Sequence, residues 1–122
     1  MFEIGVRSHF SAAHHLRAYP GKCAVAHGHN WDVEVFLRGE RLNETGMIED
    51  YGRIKDGFRE SLAALDHSDL NASPDFIHLN PTSENIAAYL YKVLGDKLNS
   101  DRFKVHRVCV RETPETLATY WE

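Results

Sequence analysis

Polar and apolar residues alternate along the first ten positions. Phe2, Ile4, Val6 and Phe10 fall on one side, and Glu3, Arg7 and His9 on the other. This is the two-residue period of a strand with one buried face. Residues 11–26 lose the pattern, and Pro20-Gly21 marks a turn within them. A cleaner alternation runs from His27 to Arg38. His27, His29, Trp31, Val33, Val35 and Leu37 share one face; Asn30, Asp32, Glu34 and Arg38 share the other, with Phe36 as an interruption. From Asp50 the period lengthens: Tyr51, Ile54, Phe58, Leu62 and Leu65 recur every three or four residues, which predicts an amphipathic helix. Asp66 to Pro81 is a long, turn-rich connection of a kind that is often functional in small domains. Pro81-Thr82-Ser83-Glu84 starts a second helix, with Thr82 or Ser83 as cap and Glu84 at the positive end of the dipole. Its apolar stripe is Ile86, Leu90, Val93, Leu94 and Leu98. Phe103 to Glu112 and Leu117 to Trp121 are rich in strand formers, with Pro114 between them.

The order β-β-α-α-β-β predicts an α+β fold, a four-stranded, mostly antiparallel sheet with two helices on one face. The 122 residues allow one domain, 1–122, and no second core. A small open sheet has exposed edges that must be covered or paired with another chain, so a homo-oligomer is expected. Composition excludes several classes. Hydrophobic residues are 43% and charged residues 26%, an ordinary globular balance that excludes disorder and low-complexity scaffolds. No apolar run approaches the roughly 20 residues of a membrane helix. Met-Phe-Glu-Ile-Gly at the start lacks the regions of a secretory signal, so a cytoplasmic location and no membrane partner are expected. The net charge is −4, and Lys and Arg form no basic stripe, which disfavours nucleic acid as a partner.

Eight histidines are the unusual feature. In His27-Gly28-His29, residues two apart on a strand point the same way, so both imidazoles can approach one ion. If the first two strands form an antiparallel pair, His14 at the end of one lies beside the start of the next and can reach the same ion. Three histidines are the ligand set of a catalytic zinc site with one position open to water or substrate. Imidazoles also suit iron, nickel or copper. His15 points elsewhere in an extended chain. Cys23, four residues before His27, has two readings. As a fourth ligand it would close the site into a structural zinc. As a free thiol near a cation it has a lowered pKa and serves as nucleophile or base. Cys109 reads as a small buried residue of its strand. Asp66-His67 pairs a carboxylate with an imidazole, and Glu112 ends the third long strand, where a carboxylate can grip the N–H pair of a heterocycle. Taken singly, each also reads as an ordinary polar terminus.

Together these segments resemble a known family. Phe10-Ser11-Ala12-Ala13-His14, Cys23-Ala24-Val25-Ala26-His27-Gly28-His29-Asn30-Trp31, Leu65-Asp66-His67, Asn80-Pro81-Thr82-Ser83-Glu84-Asn85 and Arg111-Glu112-Thr113 look, in that order, like the 6-pyruvoyltetrahydropterin synthase / 6-carboxytetrahydropterin synthase family. The resemblance implies the tunnelling fold, in which the β-β-α-α-β-β unit forms trimers that stack into a hexamer. It implies Zn2+ held by His14, His27 and His29, and Cys23 as the catalytic cysteine. Asp66 and His67 would be a catalytic proton-relay pair lent by a neighbouring subunit. Glu112 would anchor the pterin ring, with Thr82 and Ser83 nearby. The implied substrate is 7,8-dihydroneopterin triphosphate. Three residues separate Cys23 from His27, a short spacing similar to the 6-carboxytetrahydropterin synthases of queuosine and 7-deazaguanine biosynthesis. The alternatives are the pyruvoyl-forming branch and, from another class, a non-catalytic zinc-stabilised binding module.

Overall fold

In the computed structural model, which describes residues 1–122, the chain folds around one long antiparallel hairpin. Strand β1 is Phe2–His14 and strand β2 is His27–Gly39. Their register runs unbroken from Phe2↔Gly39 to His14↔His27. Strand β1 thus continues past the expected Phe10 to His14 itself, because Ala12 and His14 keep the alternation in step with His29 and His27. The even positions of β1 and the odd positions of β2 share the buried face, where Phe10, Trp31, Val33, Val35 and Leu37 are completely covered. Phe10 and Trp31 are directly opposed, with their rings stacked at 5.9 Å.

Helix α1 (Tyr51–Ala63) and helix α2 (Ser83–Leu98) cover that face. The Asp50 carboxylate accepts from the Gly52 N–H at 2.6 Å and caps α1. Thr82, rather than Ser83, caps α2, its Oγ1 accepting from the Asn85 N–H at 3.1 Å. Ile54, Phe58 and Leu62 of α1 and Ile86, Leu90 and Leu94 of α2 enter one apolar core with the sheet. Burying a side chain of this size contributes roughly 1.5–3 kcal/mol.

The sheet has five strands, in the order β3-β1-β2-β4-β5, where four were expected. The additional strand, β3 (Ser68–Asp69), pairs parallel with Ala12–Ala13 on the outer edge of β1. Two residues carry no readable period, so its pairing partner alone makes it a strand. The 66–81 connection also holds two short 3-10 turns, and it buries Leu70 and Phe76 completely. Strands β4 (Phe103–Thr113) and β5 (Thr116–Trp121) complete the other side.

The helix-free face of the sheet is polar. Arg7 pairs with Asp32, Arg38 and Arg107 with Glu3, and Arg111 with Glu34. Phe36, the break in the alternation, lies on this face beneath the Arg107 guanidinium at 3.8 Å and opposite Gly5. No helix is long and apolar enough to cross a membrane.

At the open end of the hairpin, where Phe2 pairs with Gly39, backbone packs against backbone. A Cβ on Gly39 would lie 2.6 Å from the Arg102 carbonyl oxygen and 3.0 Å from Ile48 Cδ1. Gly39→Ala is therefore expected to destabilise the fold by about 1–3 kcal/mol, read as a lower urea midpoint with an unchanged slope.

Candidate metal centre

The closed end of the hairpin, where residues 15–26 connect its strands, holds the histidines. The pairing His14↔His27, with His29 opposite Ala12, sets all three imidazoles on the core-facing side. The indole of Trp31 floors the site, edge-on to the rings of His14 and His29 at 4.9 and 5.3 Å. Glu112 completes the group: one ligand atom from each of His14, His27, His29 and Glu112 lies within 4.8 Å of the others. The side chain of His14 is 2% exposed and that of His27 31%, so the site opens to solvent past His27 and Glu112.

The far nitrogens show how the rings are set. His14 Nδ1 lies 2.8 Å from the Pro81 carbonyl oxygen, and His27 Nδ1 lies 2.7 Å from that of Val25. A carbonyl only accepts, so each Nδ1 carries the hydrogen and each Nε2 presents a lone pair to the cluster. Metal-binding histidines are oriented in this way. Burial lowers the proton affinity of His29; the Glu112 carboxylate opposes the shift, and His14 and His27 add to it. A neutral imidazole is the form that binds a metal.

His14 Nε2 and His29 Nε2 are buried and make no hydrogen bond. Glu112 Oε1 is near both, at 3.2 and 2.7 Å, but the contacts lack hydrogen-bond alignment. Leaving such nitrogens without a partner costs about 1–3 kcal/mol each. The donor set and these orphaned lone pairs suit a transition-metal ion, zinc among them.

Pro81 is held in place by two asparagines that a sequence reading passes over. Asn80 Oδ1 accepts from the Arg17 N–H at 2.9 Å, and its amide donates to the Arg17 carbonyl at 3.0 Å. Asn71 grips His15 in the same way, at 2.8 and 3.0 Å. The Arg17 guanidinium in turn donates to the carbonyls of Asn71, Phe76 and Leu79. Each asparagine side chain stands in for a neighbouring strand, and together they lock residues 15–17 to the 70–81 connection. Asn80 belongs to the Asn80-Pro81-Thr82-Ser83 segment, but nothing in its spacing reports a partner at Arg17.

Other expected residues lie apart from this cluster. Cys23 sits in a 3-10 turn, Lys22–Ala24, as a half-buried free thiol, and it is not among the four grouped ligands. Glu112, and not Cys23, is the fourth residue grouped with the histidines. A Cβ at Gly28 would meet open space, so packing within the chain does not demand the glycine. Asp66 and His67 form a pair at 2.9 Å, also outside the cluster. The Ser11 N–H, and then His67, hold the Asp66 carboxyl below its usual range. The His67 backbone is left-handed at φ 55°, and its side chain is 83% exposed. Its imidazole is thereby displayed outward beside a cleft that includes Ser11, Gly28 and Asn30. Thr82 accepts its capping bond and keeps its hydroxyl hydrogen free to donate, and Ser83 beside it is half-buried.

Fold and site together define a small α+β protein with a metal-type histidine cluster at the closed end of its central hairpin. Residues 3–122 match the family model described as 6-pyruvoyl tetrahydropterin synthase. The chain is 39% identical over 103 residues to a putative 6-carboxy-5,6,7,8-tetrahydropterin synthase of Archaeoglobus fulgidus, covering 84% of each chain. It is 32% identical over 124 residues to a putative 6-pyruvoyl tetrahydrobiopterin synthase of Caenorhabditis elegans, covering 91% of this chain and 88% of that one. The solved structure of Caenorhabditis elegans 6-pyruvoyl tetrahydropterin synthase superimposes with a TM-score of 0.90 at 30% identity, over 99% of this chain and 95% of that one. The chain belongs to the 6-pyruvoyl tetrahydropterin synthase family.

The hydrogen bond from His14 to Pro81 yields a prediction. Asn80→Ala loosens the residue before Pro81 while keeping the carbonyl itself, and is expected to weaken zinc binding by up to about 10-fold, the lower end of the effect of losing an outer-shell partner outright. Competition with a chromophoric chelator measures it.

Proposed function

We propose that the protein is a zinc-dependent pterin synthase that converts 7,8-dihydroneopterin triphosphate to 6-carboxy-5,6,7,8-tetrahydropterin, releasing acetaldehyde and triphosphate. The observation that carries this reading is the convergence of three imidazole nitrogens, two of them fixed in tautomer by backbone carbonyls, beside the Glu112 carboxylate. His14, His27 and His29 would hold the metal. When bound, it supplies Lewis acidity toward the hydroxyls of the substrate side chain and the C–H bonds beside them.

The remaining work falls to this chain's own groups. Glu112 accepts the N–H pair of the pterin ring, which aims the side chain at the histidines and contributes orientation. Thr82 and Ser83 offer hydroxyls at the start of α2, next to Pro81. Cys23 takes a proton from the side chain. Asp66 holds the His67 imidazole, which returns or relays a proton from the other side. The family resemblance implies that Asp66 and His67, which lie outside the cluster of their own chain, serve a neighbouring copy in a homo-oligomer, a hexamer built from two trimers.

The short interval Ala24-Val25-Ala26 between Cys23 and His27 favours the carboxy-forming branch, which would place the protein in 7-deazaguanine biosynthesis in the cytoplasm. The 39% identity to the Archaeoglobus fulgidus relative supports the same choice. The pyruvoyl branch retains every carbon and eliminates triphosphate alone.

Incubation of the zinc-loaded protein with 7,8-dihydroneopterin triphosphate, followed by mass spectrometry with acetaldehyde trapping, tests the product. The 6-carboxy compound with acetaldehyde is expected; a 6-pyruvoyl compound without it would reassign the branch. Subunit sharing makes a second prediction. Cys23→Ala and His67→Ala should each lose most turnover while retaining zinc. Unfolded and refolded together, they should recover part of the wild-type rate, because mixed oligomers contain some sites with both groups intact. A mixture as inactive as its parents would place Cys23 and His67 in one site of one chain.

A further inference from the structure

Two demands meet at Glu112. The proposed reaction asks its carboxylate to grip a heterocycle, yet the same carboxylate lies among the three lone pairs. Its Oε1 is 2.7 Å from His29 Nε2, 3.2 Å from His14 Nε2 and 4.0 Å from His27 Nε2. Donors bound at the 2.0–2.2 Å usual for zinc with imidazole and carboxylate stand about 3.3 Å apart in a tetrahedron, which is the centre of that spread. A carboxylate that served only as a hydrogen-bond acceptor would lie along an N–H direction. Here the nearest contacts are unaligned and the nitrogens stay unpaired, so the lone pairs converge beside the oxygen and not upon it.

The backbone explains how Glu112 reaches this place and how it can leave. Strand β4 is paired with β2 only as far as Arg111↔Asp32. Its ladder with β5 breaks between Arg111 and Thr113, so Glu112 is the extra residue of a bulge. Bulges re-aim side chains and interrupt pairing. Glu112 follows Val108 and Val110 on the core-facing side, and this puts its carboxylate over the histidines. Beyond Arg111 the strand is held from the β5 side alone, and the Glu112 side chain remains 29% exposed.

We propose that Glu112 is an exchangeable ligand. At rest its carboxylate occupies the fourth corner of the metal site. It yields that corner to the hydroxyl-bearing side chain of an incoming pterin and turns to take the ring's N–H pair. The proposal rests on the pterin reading above and adds to it a closed resting state that opens with substrate. One carboxylate then links ring recognition to opening of the metal: until the ring offers its donors, the fourth corner stays filled.

The test uses the full-length protein, wild type, Glu112→Gln and Glu112→Ala. Chelator competition reads the resting ligand. Both variants are expected to bind zinc at least about tenfold more weakly than wild type, since a direct ligand should matter no less than an outer-shell partner. Cobalt(II) in place of zinc reads the exchange through its visible absorption bands. Neopterin, which has the side-chain hydroxyls and lacks the triphosphate, is expected to shift the wild-type bands and to leave those of Glu112→Gln with no carboxylate-loss component. Equal zinc affinity in all three proteins overturns the proposal. So does a wild-type cobalt spectrum that stays unchanged while equilibrium dialysis shows neopterin bound. If no pterin binds at all, the pterin reading fails and the exchange with it, while chelator competition still decides whether Glu112 is a ligand.

Discussion

The register between β1 and β2 is the constraint from which the rest follows. His14 opposite His27 and Phe10 opposite Trp31 are consequences of one alignment along the same two strands. Side chains alternate with a period of two, so a slip by one residue would turn His14 away from His27 and His29. It would also expose Phe10 and drive Ser11 and His9 toward the core. The burial of Phe10, Trp31, Val33, Val35 and Leu37 therefore disciplines the metal site without touching it. Packing specifies the pairing, and the pairing delivers the ligands.

The face that carries the histidines is continuous with the hydrophobic core, and this has electrostatic consequences. Burial makes the His29 imidazole resist protonation, which keeps its lone pair available. The same burial makes an unpartnered nitrogen costly, so the site stores a demand for an ion. The 66–81 connection serves this arrangement. It fills the core with Leu70 and Phe76, and it delivers Asn71, Asn80 and the Pro81 carbonyl to the end of β1. Its length reflects a scaffold for His14, with an exposed Asp66-His67 pair at its start.

The opposite face of the sheet has another character. Its ion pairs are largely solvent-exposed, and each adds about 0–1 kcal/mol. They keep the face polar and leave the helices a single side to cover. The sheet ends in β3, two residues long, on one edge and β5 on the other. Such edges are the places where a second copy of the chain could pair.

Local pattern in the sequence determined the long elements, because each is an amphipathic run whose period reveals its buried face. It also determined His14, His27 and His29 as a group, since an HxH pair on a strand and a histidine at the end of the preceding strand need only antiparallel pairing to meet. Ordered motifs from His14 to Glu112 marked the family. Tertiary structure alone decided the rest. Strand β3 exists because Ala12–Ala13 offers an edge, and two residues have no period to read. The asparagine clamps depend on contacts across more than fifty residues, which leave no local spacing. Glu112 read as an ordinary strand terminus, or through family likeness as a ring anchor; alternation sets it on the face of Val108 and Val110, but only the pairing of β4 beside β2 brings that face to the histidines. Sequence periodicity records which way a side chain faces. Only the folded chain decides what it faces.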